Sequence, residues 1–345
     1  MDYSIKGKKM NQLEEKISAY FNTLETLYTG SGTSALFLIF KYLKLKNKNK
    51  VLIPSLVCPQ VVSIALKAGI EVIFADVGLD DYTLLFESCK KNYDENPYDA
   101  LVLVHLYGHF CDEKIIDFCQ NKNIFIIEDC AQTYKINPKC DISVLSFGHT
   151  KFLENELWGG AILSSKISLS FLREFNKELT LRTNKQKFDE YRLKYYALNP
   201  KDKDYFKNLK DLLLNYTFVF GGDDNPYLEE KFSKLSNICE KRKENMQIYQ
   251  NFLRHEFILH PKSNLNSISW RYTFRYLGDR EKLLENLRKN GIDCSSWYLP
   301  SHLIFEGKNQ KNSEILSKEL INLWCDEKMS KEQIKDNIKI ILSLL

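Results

Sequence analysis

The sequence predicts an α/β protein, in which a sheet covered by helices on both sides is followed by a smaller α+β portion. Three observations carry that reading. Short runs that are apolar on both faces alternate with helical patterns through the first half of the chain, as in buried strands joined by crossover helices. At 345 residues the chain is long enough for two domains. The turn Gly221-Gly222-Asp223-Asp224-Asn225-Pro226 separates that region from a stretch with its own strand and helix signals.

Taken in order, Leu13, Ile17 and Tyr20 recur at helical spacing and predict an amphipathic helix over 10–21. After Thr29-Gly30-Ser31-Gly32-Thr33 a second helix runs through Ala35 and Leu36 to Tyr42 and Leu43. Val51–Pro54 reads as a strand, 57–68 as a helix and Val72–Ala75 as a strand. Leu101–Val104 is the next strand, followed by a helix at 113–121. Ile124–Ile127, Ile142–Leu145 and Gly160–Leu163 complete the set. Residues 167–215, rich in Lys, Arg, Tyr and Leu, read as long surface helices. The segment 227–254 reads as one long helix, then a strand near Tyr272–Phe274 and helices near 280–290 and 311–323. The division is placed at 1–235 and 236–345.

Composition narrows the classes of function. Apolar residues make up 44% and the formal net charge is +4, so the chain folds rather than staying disordered. So small a basic excess does not suggest a nucleic-acid binder. No run approaches the roughly 18 apolar residues of a membrane helix. Nine cysteines, an odd number without a CxxC pair, and a start without an apolar h-region lead us to expect reduced thiols in a cytoplasmic protein.

Ligands of such sheets bind in the loops beyond the strand ends, and four features fall there or at helix starts. Gly32, Thr33 and Ser34 open a helix, where free N–H groups and the helix dipole favour a phosphate, although the same residues serve equally as a plain cap. Asp129 follows the Ile124–Ile127 run, and Ser146 and Lys151 follow Ile142–Leu145. A lysine at a buried strand end is disfavoured as a cation, and its neutral amine suits Schiff-base chemistry. Trp158-Gly159-Gly160 turns tightly into the last strand. Phosphate cradle, carboxylate and lysine are together the parts a pyridoxal 5'-phosphate site needs. The aldehyde takes a lysine, the ring nitrogen a carboxylate, and the phosphate hydroxyls and N–H donors.

The chain resembles the DegT-type nucleotide-sugar aminotransferases, which are fold-type I pyridoxal-phosphate enzymes. The resemblance runs from about Ile5 to Lys166, and more faintly to about residue 305. It is carried by Ser31–Leu36, Val51–Ser55, Ala68–Val77 and Val104–Gly108. Ile127–Gln132, Ser146-Phe147-x-x-Thr150-Lys151, Gly291-Ile292 and Trp297–His302 continue it in the same order. It implies a large domain, with a mixed, mostly parallel sheet between helices, and a smaller C-terminal α+β domain. It places Lys151 on the Schiff-base lysine, Asp129 on the pyridinium partner and Gln132 beside the ring. Ser146 falls on a phosphate ligand, and Gly32, Thr33 and Ser34 on the phosphate-binding turn. The implied reaction moves an amino group from an amino-acid donor, commonly glutamate, to the keto group of a nucleotide-linked deoxy sugar, for surface glycans. A homodimer with the site at its interface is implied too.

Some positions depart from the family pattern. Cys58 stands where relatives stack an aromatic residue on the ring. Leu157-Trp158-Gly159-Gly160 replaces Gly-Glu-Gly-Gly. His149 lies one position after a residue often histidine in relatives, and the Asn-x-Arg segment given by a neighbouring subunit has no clear counterpart. His149, Trp158 and His302 are candidate substrate contacts, whereas His105 reads as structural. These departures leave two alternatives to the aminotransferase. One is a pyridoxal-phosphate-binding relative without catalysis, the other a different fold-type I reaction such as cysteine desulfuration. The relatives that remove a hydroxyl carry histidine in place of the lysine, and Lys151 argues against that reaction.

Overall fold

The computed structural model describes residues 10–155, 158–181, 185–222, 225–262 and 267–345. The beginning of the resemblance near Ile5, Leu157, and the Asp223-Asp224 part of the predicted break lie outside the described residues. Helix α1 (Gln12–Phe21) starts at Asn11, whose side chain accepts the Glu14 N–H while Glu14 accepts the Asn11 N–H, a reciprocal cap. Strand β1 (Glu25–Thr29) follows; its mixed polar sequence gave no apolar run to announce it. Then come α2 (Gly32–Leu45), β2 (Lys50–Pro54), α3 (Pro59–Lys67), β3 (Glu71–Ala75) and α4 (Phe86–Glu95). Next are β4 (Ala100–Val104), α5 (Glu113–Asn121), β5 (Phe125–Asp129), β6 (Ile142–Ser146) and β7 (Gly160–Ser164).

These seven strands form one sheet in the order β1-β7-β6-β5-β4-β2-β3. From β6 to β3 all neighbours are parallel, whereas β7 runs antiparallel to both β6 and β1. Every residue of central β4 is buried, which is why its sequence is apolar throughout rather than alternating. Parallel neighbours align their carboxyl ends, so the residues after β2, β4, β5 and β6 converge along one edge.

Helices α6 (Ser170–Glu178), α7 (Lys185–Tyr196), α8 (Tyr205–Asn215), α9 (Pro226–Ser233) and α10 (Leu235–Phe252) come next. The single helix expected over 227–254 is thus two, α9 and α10. The remainder comprises β8 (Ile258–Leu259), β9 (Tyr272–Tyr276), α11 (Arg280–Lys289), β10 (Cys294–Ser295), α12 (Ser301–Ile304), α13 (Lys311–Glu319), β11 (Leu320–Leu323) and α14 (Lys331–Ser343). Its four strands make a second, antiparallel sheet, β10-β11-β9-β8. The helix expected to continue to 323 ends at Glu319. Leu320–Leu323 are buried at every position as a strand, and a short apolar run cannot reveal which of the two it will be.

The second sheet has its own core around Tyr249, Tyr272, Leu287 and Ile338. Ile268, Trp270, Leu316 and Leu320 instead join the core of the large sheet. At that junction Asp76, just past β3, accepts the N–H groups of Asn312 and Ser313 at 2.8 Å. A carboxylate on the first turn of α13 neutralises that helix's exposed donors and dipole.

Candidate active site

The converging strand ends border a small recess. Cys58, His105, Asp129, Gln132, Lys151 and Tyr298 line it. Five come from the strand ends and following loops at the large sheet's edge and the sixth, Tyr298, from the chain after β10.

Asp129 ends β5 and is buried, with Oδ1 accepting the Ala131 N–H at 2.9 Å. Burial pushes its carboxyl up, against the pull of that hydrogen bond and of Lys151. A buried carboxylate is costly without a cation facing it, and a protonated ring nitrogen in the recess would supply one. Lys151 is shifted the opposite way. Burial draws its amine below the usual lysine value, Arg271 adds to that, and Cys58 and Asp129 oppose it. Its Nζ stands 5.2 Å from the centroid of the Trp270 ring.

The loop that carries Lys151 is held from several sides. The preceding Thr150 has φ 71°, which is unfavourable for a β-branched residue. Its N–H donates to Glu154 Oε2 at 2.8 Å, and its carbonyl accepts the Trp270 indole N–H at 2.6 Å. The two bonds fix the peptide on either side of the unfavourable dihedral and aim Lys151 into the recess.

Gln132 bridges two elements. Its Oε1 accepts the Tyr107 N–H at 2.6 Å and its Nε2 donates to the Tyr298 hydroxyl at 2.8 Å. Tyr298 stacks on Tyr107 with centroids 6.2 Å apart. His105 has both nitrogens engaged. Nδ1 accepts the Cys111 N–H at 3.3 Å, which assigns the proton to Nε2, 2.8 Å from Glu128 Oε1. His105, Glu128 and Cys130 stand close enough to hold a metal ion. The two Glu128 oxygens, however, are satisfied by His105, the Asn137 N–H and the Ser143 hydroxyl, so the cluster reads as a support for the His105 ring.

Gly32, Thr33, Ser34 and Ser146 do not line the recess. They bring the start of α2 against the end of β6. A Cβ on Gly32 would lie 3.2 Å from Ser146 Oγ, and one on Gly160 would lie 2.6 Å from the Gly32 N. Only residues without a side chain allow the two backbones to approach this closely. The Ser34 hydroxyl is engaged internally, 2.9 Å from Ser31 Oγ and accepting the Phe220 N–H at 3.0 Å. Ser31, which the sequence reading treated only as part of the turn, is the helix cap, accepting the Ser34 N–H at 3.0 Å. Among the described residues, the donors left for an anion at this helix start are therefore the N–H groups of Gly32 and Thr33 and the hydroxyls of Thr33 and Ser146.

The three candidate substrate contacts fall elsewhere. His149 is exposed, 3.5 Å from Glu154. Trp158 packs edge-on against Phe188 of α7, with centroids 5.1 Å apart. His302 is buried, with Nδ1 2.6 Å from Ser55 Oγ and Nε2 3.2 Å from Glu314; it joins α12 and α13 to the chain after β2. Sequence reasoning missed Tyr298, which lines the recess, and Trp270, which braces the Lys151 loop, since each reaches its place through a contact more than 100 residues away in sequence. Among the described residues, the groups present suit pyridoxal phosphate. They supply an amine with its charge disfavoured, a buried carboxylate in need of a cation, and a helix start with open donors.

A family model, the DegT/DnrJ/EryC1/StrS aminotransferase family, matches residues 2–176 and 227–342. The chain is 28% identical over 171 residues to the GDP-perosamine synthase of Escherichia coli O157:H7, an alignment covering 47% of each protein. It thus spans about half the length of that relative, and likewise of the GDP-perosamine synthase of Vibrio cholerae. It is 22% identical to the dTDP-3-amino-3,6-dideoxy-alpha-D-galactopyranose transaminase of Aneurinibacillus thermoaerophilus, over 98% of this chain and 90% of that one. Among solved structures, ntda from Bacillus subtilis with bound cofactor PMP superposes with a TM-score of 0.76 at 18% identity. That match covers 98% of this chain and 78% of that one. At such identity the likeness establishes the fold, the mixed, mostly parallel sheet with helices around it.

Proposed function

The chain belongs to the DegT/DnrJ/EryC1/StrS aminotransferase family, and from that premise we propose that it is a pyridoxal-phosphate-dependent sugar aminotransferase. It moves an amino group from an amino-acid donor, glutamate, to the keto group of a nucleotide-linked deoxy sugar used in glycan synthesis. The observation that carries the reading is the pairing of Lys151 and Asp129 in one recess, with opposite shifts imposed by the same burial.

When bound, pyridoxal phosphate supplies an aldehyde for covalent capture of amines and an electron-withdrawing ring. Lys151 would hold the cofactor through its Nζ, and its amine would carry the proton at the reacting carbon. Asp129 keeps the ring nitrogen protonated. Gln132 and Tyr298, tied to each other, and Cys58, a small polarizable surface, line the recess that would hold the ring. The α2 start, with Thr33 and Ser146, holds the phosphate. The reading also places the enzyme in the cytoplasm as a homodimer. Nine cysteines without a disulfide, and exposed Leu193 and Tyr196 on α7, support this. No described helix is long and apolar enough to cross a membrane.

The test is spectroscopic and then chemical. Purified protein with pyridoxal phosphate is expected to show a visible band that glutamate bleaches and a nucleotide-linked keto sugar restores, with an aminated sugar detected by mass spectrometry. A band that no amino donor changes would overturn the transfer reaction and leave a binding-only relative.

The Lys151 environment adds a pH dependence. Burial disfavours the protonated amine, so the folded value lies below the ordinary lysine value of 10.5. Neutral amine is present above that lowered value and is lost as pH falls through it. The rate of band formation is expected to rise with pH to a midpoint below 10.5; a midpoint at or above it in stopped-flow absorbance would contradict the burial argument.

A further inference from the structure

Arg271 immediately precedes β9 and is 5% exposed. Arg173, Arg242 and Arg275, also well covered, pair with Glu14, Glu327 and Glu319 at 2.7–3.0 Å. Among the described residues, Arg271 has no carboxylate within the 4.0 Å of an ion pair. Nη1 donates to Ser295 Oγ at 2.9 Å, and the buried Nε has no partner among the described residues. Three indoles surround the guanidinium, with Trp324, Trp297 and Trp270 centroids at 3.9, 4.9 and 5.0 Å. Their π-faces hold a cation, but they do not occupy its in-plane donors. The carboxylate that pulls on it most, Asp293, accepts the Trp324 indole N–H. A buried guanidinium with open donors calls for an anion.

The position says which anion. Lys151 Nζ and the Arg271 guanidinium carbon lie 5.2 and 5.0 Å from the same Trp270 centroid, so they are no more than about 10 Å apart. In an amino acid the α-carboxylate is one carbon from the amine that reacts. In a nucleotide-linked sugar the phosphates sit on the anomeric oxygen, away from the ring carbon that takes the amine. A cation within that distance of the reacting lysine, closed in by indoles, is in reach of a carboxylate one carbon from the reacting amine.

We propose that Arg271 is the anchor for a carboxylate of the amino donor, binding it through its open donors while Lys151 handles the amine. This rests on the aminotransferase reading. An anion seated there also offsets the repulsion that Arg271 exerts on a protonated Lys151, so donor binding would raise the lysine's proton affinity when it must accept one.

The test uses the full chain with pyridoxal phosphate, as wild type, Arg271→Gln and Arg271→Lys. Three of the chain's four tryptophans surround the guanidinium, so indole emission reports occupancy directly. Glutarate, a dicarboxylate without an amine, is expected to shift that emission in wild type. Arg271→Gln should need at least about tenfold more glutarate, and Arg271→Lys an intermediate amount. A nucleoside diphosphate should bind all three alike, and each should form the Lys151-dependent visible band. Unchanged glutarate affinity in a folded Arg271→Gln protein overturns the proposal, as does a loss confined to the nucleoside diphosphate. Absence of the visible band from wild type would sink the aminotransferase reading instead, and the glutarate titration would still decide whether Arg271 holds an anion.

Discussion

Lys151→Ala is expected to remove the visible band and to lower amino transfer by about 10⁴-fold or more, the upper range for removing a positioned proton-transfer group. The residue has two tasks, covalent attachment of the cofactor and proton transfer at the reacting carbon, so one substitution ends both. The loop should survive it. Its hydrogen bonds run through the Thr150 peptide, Glu154 and Trp270 rather than the lysine side chain, and removing a buried amine relieves a desolvation penalty. Equal or higher thermal stability is therefore expected alongside the loss of activity. Lys151→Arg keeps the charge but not the nucleophile, and should fail equally. A Lys151→Ala protein that still shows the band and bleaches with glutamate would refute the assignment.

Asp129→Asn should be the second most damaging change, at about 10³-fold in transfer rate, comparable to losing one preorganised electrostatic partner. The amide fills the same space and can still accept the Ala131 N–H through its oxygen. It cannot keep a ring nitrogen protonated, so the electron-withdrawing power of the ring falls while the covalent link to Lys151 persists. The distinguishing readout is a band that forms but bleaches slowly with glutamate. The carboxyl is already pushed upward by burial, so wild type should lose cofactor affinity as pH falls and Asp129 becomes protonated. The Asn variant should lack that acid limb, and binding titrations between pH 5 and 8 would show whether it does.

Much of this protein was legible because its parallel strands are buried on both faces. Val51–Pro54, Leu101–Val104 and Ile124–Ile127 are apolar throughout, and Ile142–Leu145 is apolar but for Ser143, so they stand out by themselves, and Asp129, Ser146 and Lys151 lie just beyond two of them. What failed to show had no such contrast. β1 mixes Glu, Thr and Tyr, and its antiparallel partner β7 comes from far along the chain, setting Gly160 opposite Thr29. Phe86–Glu95 is polar on most of its surface and buries only Cys89, so its helical period was faint. Leu320–Leu323 reads as the end of a helix until β9 pairs with it.

The site divides in the same way. The order of residues and the local chemistry of strand ends, helix starts and glycine turns were determined by the sequence itself, because hydrogen bonding and burial act there over a few residues. Tertiary structure alone decided which side chains meet. Only the fold brings Trp270 onto the Thr150 carbonyl, Tyr298 onto Gln132, and Arg271 among three indoles. It also takes His302 to Ser55 and leaves His149 on the surface. Those partners are up to 247 positions apart, and closing such separations depends on the packing of two whole sheets, which no local pattern of residues encodes.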